Sequence, residues 1–175
     1  FGWFDKFVQV FVSDYLIPVL FATSLLGLWF TWTTMRIRDI HQRAVMVAGV
    51  GVAFTNITVA ISNMFYFRPR PFDSINVELL FYPPTDSSFP ANPVAVTVAI
   101  ATGVLLGNRL LGGLMLFIAI AYGIGRVYSG VFYPSDVLGG ILFGAVGSIV
   151  ARFLLVMIEP IPTRFLRFAR FLNLS

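Results

Sequence analysis

Gly125-Arg126-Val127-Tyr128-Ser129-Gly130-Val131-Phe132-Tyr133-Pro134-Ser135-Asp136-Val137-Leu138-Gly139-Gly140 joins two apolar stretches of the chain. It holds one arginine, one aspartate, a turn and an aromatic cluster, the composition of a loop at a membrane face. Outward from it the chain stays apolar. Of 175 residues 58% are hydrophobic and 11% charged, and the mean hydropathy is +0.86. Those values exclude an ordinary soluble domain and indicate an integral membrane protein.

A hydrocarbon core of about 30 Å takes about 20 apolar residues per helix. The expected fold is therefore all-α, a polytopic membrane helix bundle of about five transmembrane helices with interfacial N- and C-terminal helices. The spans are placed at Asp14–Thr34, Ala44–Phe67, Pro93–Leu106, Leu114–Gly125 and Asp136–Ile158. Residues 1–175 read as a single membrane domain, with the bundle at 14–158 and a basic amphipathic tail at 159–175. In that tail Arg164, Arg167 and Arg170 recur among Phe165, Leu166, Phe168 and Phe171. Met35–Arg43 reads as a polar loop and Gly107–Gly113 as a tight turn carrying Arg109. Gly140, Gly144 and Ser148 repeat small residues every fourth position, read as close packing within the bundle rather than as a dimer face. The chain opens on Phe1 rather than methionine, which leaves room for a preceding segment.

Cysteine is absent, so disulfides, thiol catalysis and thiolate metal sites are excluded. Arg36, Arg38, Arg43, Arg109, Arg152 and the tail arginines fall on one side of the five-span arrangement, which the positive-inside rule places in the cytoplasm. Arg68, Arg70 and Arg126 fall on the other side against that rule. An anion to hold would explain them, and so would ion pairs with Asp73, Glu78, Asp86 and Asp136. The net charge of +4 is mostly juxtamembrane arginine, so nucleic acid is not an expected partner.

Two further segments reach the same face: Phe67-Arg68-Pro69-Arg70-Pro71-Phe72 and Thr85-Asp86-Ser87-Ser88-Phe89-Pro90-Ala91-Asn92-Pro93. Arginine suits phosphate because its planar fork donates paired hydrogen bonds. In order and spacing the three segments resemble the three-part signature of the type 2 phosphatidic acid phosphatase family, most of all its bacitracin-resistance undecaprenyl-diphosphatase branch. The resemblance covers roughly residues 14–154. In that family one histidine attacks phosphorus, a second protonates the leaving oxygen, an aspartate orients the first, and arginines, a lysine and a serine hold the phosphate. By this resemblance Arg70, Arg126 and Asp136 are matching residues. The lysine position falls on Asn63, the phosphate-binding serine on Ala91 with Asn92 after it, the acid histidine on Pro93 and the nucleophile on Phe132. Gly125 stands for the serine before the arginine.

Phe132 has no lone pair for attack, and Pro93 has no proton to give. His41, the single histidine, is placed on the opposite face as a headgroup-level loop residue. The sequence thus leads to the expectation of a catalytically inactive relative, kept as a structural or accessory subunit of a larger membrane complex. The alternatives are a non-hydrolysing binder of a lipid phosphate headgroup through Arg68, Arg70 and Arg126, and an active lipid phosphate or diphosphate phosphatase using Asp136 or Asp86 as nucleophile. Asp136 is expected to pair with Arg126 or to cap the fifth helix. Asn92 is expected to cap the third helix, with Pro93 in its first turn. Expected partners are membrane lipids, among them an anionic or polyprenyl-phosphate headgroup, and other membrane protein subunits. No cofactor or metal is expected. The expected location is a bacterial cytoplasmic membrane, with the degenerate site on its non-cytoplasmic side.

Overall fold

The computed structural model describes residues 2, 10–13, 15–31, 34–74 and 86–172, and within them every regular element is helical. In chain order these are α1 (Leu16–Trp29), α2 (Met35–Phe65), the single turn α3 (Pro71–Ser74), α4 (Asn92–Leu105), α5 (Arg109–Tyr128), α6 (Pro134–Met157) and α7 (Ile161–Phe171). Three of them, α2, α5 and α6, are long and apolar enough to cross a membrane. α1 and α4 are apolar but have 14 residues each, about 21 Å of helix, less than the core thickness. The membrane helix bundle expected from composition is present, with two of its five main members shorter than a full crossing.

Two helices begin well before the starts read from the sequence. α2 begins at Met35 rather than Ala44, so the expected polar loop is helix. Met, Arg and Gln are good helix formers, and a polar first turn is no penalty where the helix projects beyond hydrocarbon. With 31 residues, α2 is about 46 Å long. α5 begins at Arg109 rather than Leu114, because Asn108 caps it and accepts a hydrogen bond from the Leu111 amide at 3.1 Å. The expected interfacial segment at residues 1–13 lies largely outside the described residues, but Val12 within it is fully buried.

α4 is the central helix and packs on α6, α2 and α5. Val94, Ala95, Val98, Ala99, Ala101 and Val104 on it are completely buried. Its seam with α6 depends on the small residues noted in the sequence. A Cβ on Gly144 would stand 2.3 Å from the Ala95 carbonyl oxygen, and one on Gly140 2.6 Å from that of Ala91. One turn further, the Ser148 hydroxyl donates to the Ala99 carbonyl at 2.6 Å. The small-residue repeat therefore packs inside the bundle, as read.

The tail helix α7 does more than lie on an interface. Pro162, Leu166 and Ala169 are buried, and Phe165 packs against Trp29 with ring centroids 6.5 Å apart. Arg170 pairs with Asp39 and donates to Gln42 at 3.1 Å. Arg43 bonds Glu159 at 2.5 Å and Thr163 at 2.7 Å. The hydrogen bonds from Arg43 and Thr163 hold the Glu159 carboxyl below the usual carboxylate range. By the up-and-down order of the helices, this tail end also carries Arg36, Arg38, Arg109 and Arg152, so the arginines gather as the sequence predicts. The opposite end collects the chain segments that follow α2, precede α4 and link α5 to α6.

Candidate functional site

At that opposite end, residues 66–70, 86–91 and 129–133 are irregular and interlocked. The Ser88 amide donates to the Arg68 carbonyl at 2.9 Å, and the Ala91 amide to the Asp136 carbonyl at 3.0 Å. The three sequence segments that carried the resemblance are therefore one cluster in space.

Asp136 is its centre. Tyr133 and Pro134 open α6, and Asp136 in its first turn accepts from the Tyr133 amide at 3.1 Å. A carboxylate there satisfies an orphan amide and faces the positive end of the helix dipole. The expected cap is present; the expected pairing with Arg126 is replaced by one with Arg68, whose Nη1 lies 2.6 Å from Oδ1. The physical reason is direction. The extended segment 66–70 crosses the start of α6, whereas Arg126 in the last turn of α5 points into the bundle beside Tyr122. Ser88 donates its hydroxyl to Oδ2, and Ser135 accepts from Arg68 at 2.8 Å. Asp136 is 0% exposed, with its carboxylate committed on both oxygens.

The second pair is Arg70 with Asp86. Arg70 is buried and donates from Nε to the Asp86 carbonyl at 3.0 Å and from Nη2 to its carboxylate at 2.7 Å. Nη1 reaches the Val131 carbonyl at 3.3 Å. The Asp86 side chain is 62% exposed. Of the other carboxylates weighed as arginine partners, Glu78 lies outside the described residues.

Phe132 is buried between two guanidiniums. The Arg70 guanidinium sits 4.4 Å from its ring centroid and that of Arg126 5.5 Å, within cation–π range. Arg68 lies 4.3 Å over the Tyr133 ring. Gly125 is tight as well: a Cβ there would meet Val12 at 2.5 Å. Pro93 falls in the first turn of α4, but Asn92 is already helical and Ala91 takes the cap position without a side-chain bond. The entry to that helix is fixed instead by the backbone bond from Ala91 to Asp136. Asn63, near the end of α2, and Asn92 each keep a buried side-chain oxygen without a partner among the described residues. His41 lies at the tail end, 3.5 Å from Asn108, away from the site as expected but inside α2 rather than in a loop.

The structure thus brings Arg68, Arg70, Arg126, Asp136, Ala91, Asn92, Pro93 and Phe132 together. The sequence reading gave no role to Ser88 and Ser135, which hold the Asp136–Arg68 pair. Their signals were a serine pair at Ser87-Ser88 and a serine next to Asp136, too common to single out. Among the described residues no group of three or more His, Cys, Asp or Glu side chains comes together to hold a metal ion.

Comparison with known proteins agrees with this geometry. The profile described as the PAP2 superfamily matches residues 44–157. Undecaprenyl-diphosphatase BcrC of Bacillus subtilis is 32% identical over 83% of this chain and 73% of its own. The bacitracin transport permease protein BcrC of Bacillus licheniformis is 30% identical over 81% of this chain and 68% of its own. A putative undecaprenyl-diphosphatase, YbjG of Escherichia coli, is 27% identical over 83% and 71%. Among solved structures, Aquifex aeolicus LpxE superposes with a TM-score of 0.65 at 27% identity, covering 85% of this chain and 82% of that one.

These findings overturn the expectation of a catalytically inactive structural or accessory subunit. A relative matching most of the chain bears the name of an enzyme, and the family profile over residues 44–157 includes all three segments of the site. The inactive reading rested on two side chains, Pro93 and Phe132. Neither side chain can do histidine chemistry, but carboxylates also form phosphoryl intermediates, and Asp86 and Asp136 are both at the site. What is shown is an integral membrane protein of phosphatase kinship.

Proposed function

The chain belongs to the PAP2 superfamily, and from that premise we propose that it is a membrane lipid phosphatase acting on a polyprenyl diphosphate at the cluster of Arg68, Arg70, Arg126, Asp86 and Asp136. The single observation that carries this reading is the Arg70–Asp86 pair beside Phe132: a solvent-open carboxylate held by a buried guanidinium, within a ring of arginines. The diphosphate follows from the names of the undecaprenyl-diphosphatase relatives and from leaving-group chemistry.

Pro93 and Phe132 supply neither acid nor nucleophile, so the leaving group must depart without help from a protonated histidine. From a lipid monophosphate it would be an alkoxide, which needs that proton. From a diphosphate it is a phosphate monoester, whose second pKa is about 6, and it departs as a stable anion. Of the two candidate nucleophiles, Asp136 is sealed and fully engaged, whereas Asp86 is open. In the proposed reaction an Asp86 carboxylate oxygen attacks the terminal phosphorus and forms an acyl phosphate. The bond to the bridging oxygen breaks, and polyprenyl phosphate leaves with the electron pair. Water then cleaves the acyl phosphate, regenerating the carboxylate and releasing inorganic phosphate and a proton. Arg68, Arg70 and Arg126 offset the charge of the transferring group. Asp136 positions Arg68, and Ala91 and Asn92 shape the wall beside it. The site faces the non-cytoplasmic side of a bacterial cytoplasmic membrane, the orientation favoured by the arginines of the tail end.

The test is phosphate release by the purified chain in mixed micelles from undecaprenyl diphosphate and from the monophosphate. Release from the diphosphate alone is expected, and Asp86→Asn should lower it at least 100-fold, on the order seen when one member of a catalytic unit is removed. Binding of the diphosphate without any release would overturn the proposal, as would full activity in Asp86→Asn.

A further inference from the structure

At the tail end, Leu105, Leu106, Arg109 and Arg152 line a cleft of about 440 Å³ where α4 turns into α5 beside α6. A smaller cleft next to it, about 130 Å³, shares Arg152 and adds Arg43 and Glu159. In the smaller one Arg43 is answered by Glu159 at 2.5 Å. The larger one has no carboxylate in its lining. Among the described residues neither Arg109 nor Arg152 makes an ion pair.

Arg109 is also in an unfavourable place for a cation. It is the first residue of α5, where the aligned amide dipoles present their positive end. A negative group in the cleft would relieve that repulsion, meet the guanidinium of Arg152, and lie near amides that favour anions. Leu106 in its lining is exposed, and so are Leu110 and Phe153, which follow Arg109 and Arg152 in the chain. Exposed guanidiniums beside exposed apolar side chains, at the end of membrane-crossing helices, match the depth at which acyl chains meet headgroups. α5 has 20 residues, so this cleft lies about 30 Å from the candidate catalytic cluster.

The geometry points to a second anion site, in which Arg109 and Arg152 hold the phosphate of an anionic phospholipid whose acyl chains rest on Leu106, Leu110 and Phe153. The recognised chemistry is a phosphate anion, and inorganic phosphate is the other source of it. Neutral lipids with a choline headgroup do not satisfy the two guanidiniums, because their phosphate is already balanced.

Native mass spectrometry of the full chain, titrated in non-ionic detergent with phosphatidylglycerol, phosphatidylcholine or inorganic phosphate, tests this. Phosphatidylglycerol should be retained in preference to phosphatidylcholine. Arg109→Gln with Arg152→Gln should weaken it about thirtyfold, the effect of two basic residues near a membrane surface. Arg109→Lys with Arg152→Lys should keep most of the binding, since it preserves both charges. Arg164→Gln with Arg167→Gln removes equal charge from the exposed face of α7 and should change nothing. Phosphatidylglycerol bound equally by wild type and the double glutamine variant overturns the site, and so does equal retention of phosphatidylcholine. Inorganic phosphate that displaces the lipid and depends on the same two arginines overturns the lipid as occupant.

Discussion

Asp136→Ala is the most informative single change at the candidate site. The carboxylate holds Arg68 at 2.6 Å, accepts from the buried Ser88 hydroxyl, and accepts from the Tyr133 amide at 3.1 Å. Removing it takes an acceptor from three donors, of which Arg68 alone keeps another, Ser135. Breaking a buried ion pair costs about 3–5 kcal/mol; Arg68 is partly exposed, at 29%, and can turn to water, which places this case near the low end. An orphaned buried hydroxyl adds about 1 kcal/mol and a lost helix cap about 1 kcal/mol. Neighbouring terms are not additive, so the expected loss is about 4 kcal/mol. With the scaling of water-soluble domains of this size, that lowers the melting temperature by about 8–16 °C. Asp136→Asn keeps an acceptor for Tyr133 and Ser88 and loses mainly the attraction to Arg68, so it should fall by about half as much. Thermal unfolding in micelles, followed by far-ultraviolet circular dichroism, reads both. A melting temperature for Asp136→Ala within 2 °C of wild type, about the scale of one weak contact, would refute the argument that this carboxylate ties the three segments together.

Other changes probe separate links. Pro93→His places an imidazole in the first turn of α4, where the family signature has its acid; if departure of the leaving group is the missing step, this variant should begin to release phosphate from undecaprenyl monophosphate, and no gain in a folded variant would count against the leaving-group argument. Gly144→Val puts a side chain against a backbone oxygen that stands 2.3 Å from the Cβ position, so stability should fall by about 3 kcal/mol, the upper range for overpacking; an unchanged melting curve would mean the seam can open. Glu159 gives a pH dependence. Its carboxyl is held low in the folded chain, so its contribution is complete above the usual carboxylate range and is lost as pH falls through the lowered value. The gap in melting temperature between wild type and Glu159→Gln should therefore be open at pH 7 and close in acid, and a gap independent of pH would contradict it.

Much of the architecture was legible in the chain because it depends on composition and period. Apolar runs located the bundle, arginines sorted its two ends, and Gly140, Gly144 and Ser148 announced a tight seam. What stayed hidden depends on direction in space. Asp136 and Arg126 are ten residues apart in one segment, yet the partner of Asp136 is Arg68, brought across from another segment. Asn92-Pro93 has the composition of a helix start, but the bond from Ala91 to Asp136 sets the start one residue earlier. Polar residues at Met35–Arg43 read as loop because hydropathy measures membrane depth, not helicity. The functional misreading had another source. Two side chains, Pro93 and Phe132, were weighed above a scaffold that keeps its arginines and carboxylates together.

The seam between α4 and α6 has a mechanical consequence. Gly140, Gly144 and Ser148 meet Ala91, Ala95 and Ala99 at successive turns, like the teeth of two racks. Sliding one rack by a fraction of a turn would drive carbonyl oxygens into the α6 backbone, and sliding by a whole turn of about 5.4 Å would unseat the Ser148 hydroxyl from its acceptor. These two helices cannot act as pistons. Any opening and closing over Arg70 and Asp86 must leave this pair of helices in gear.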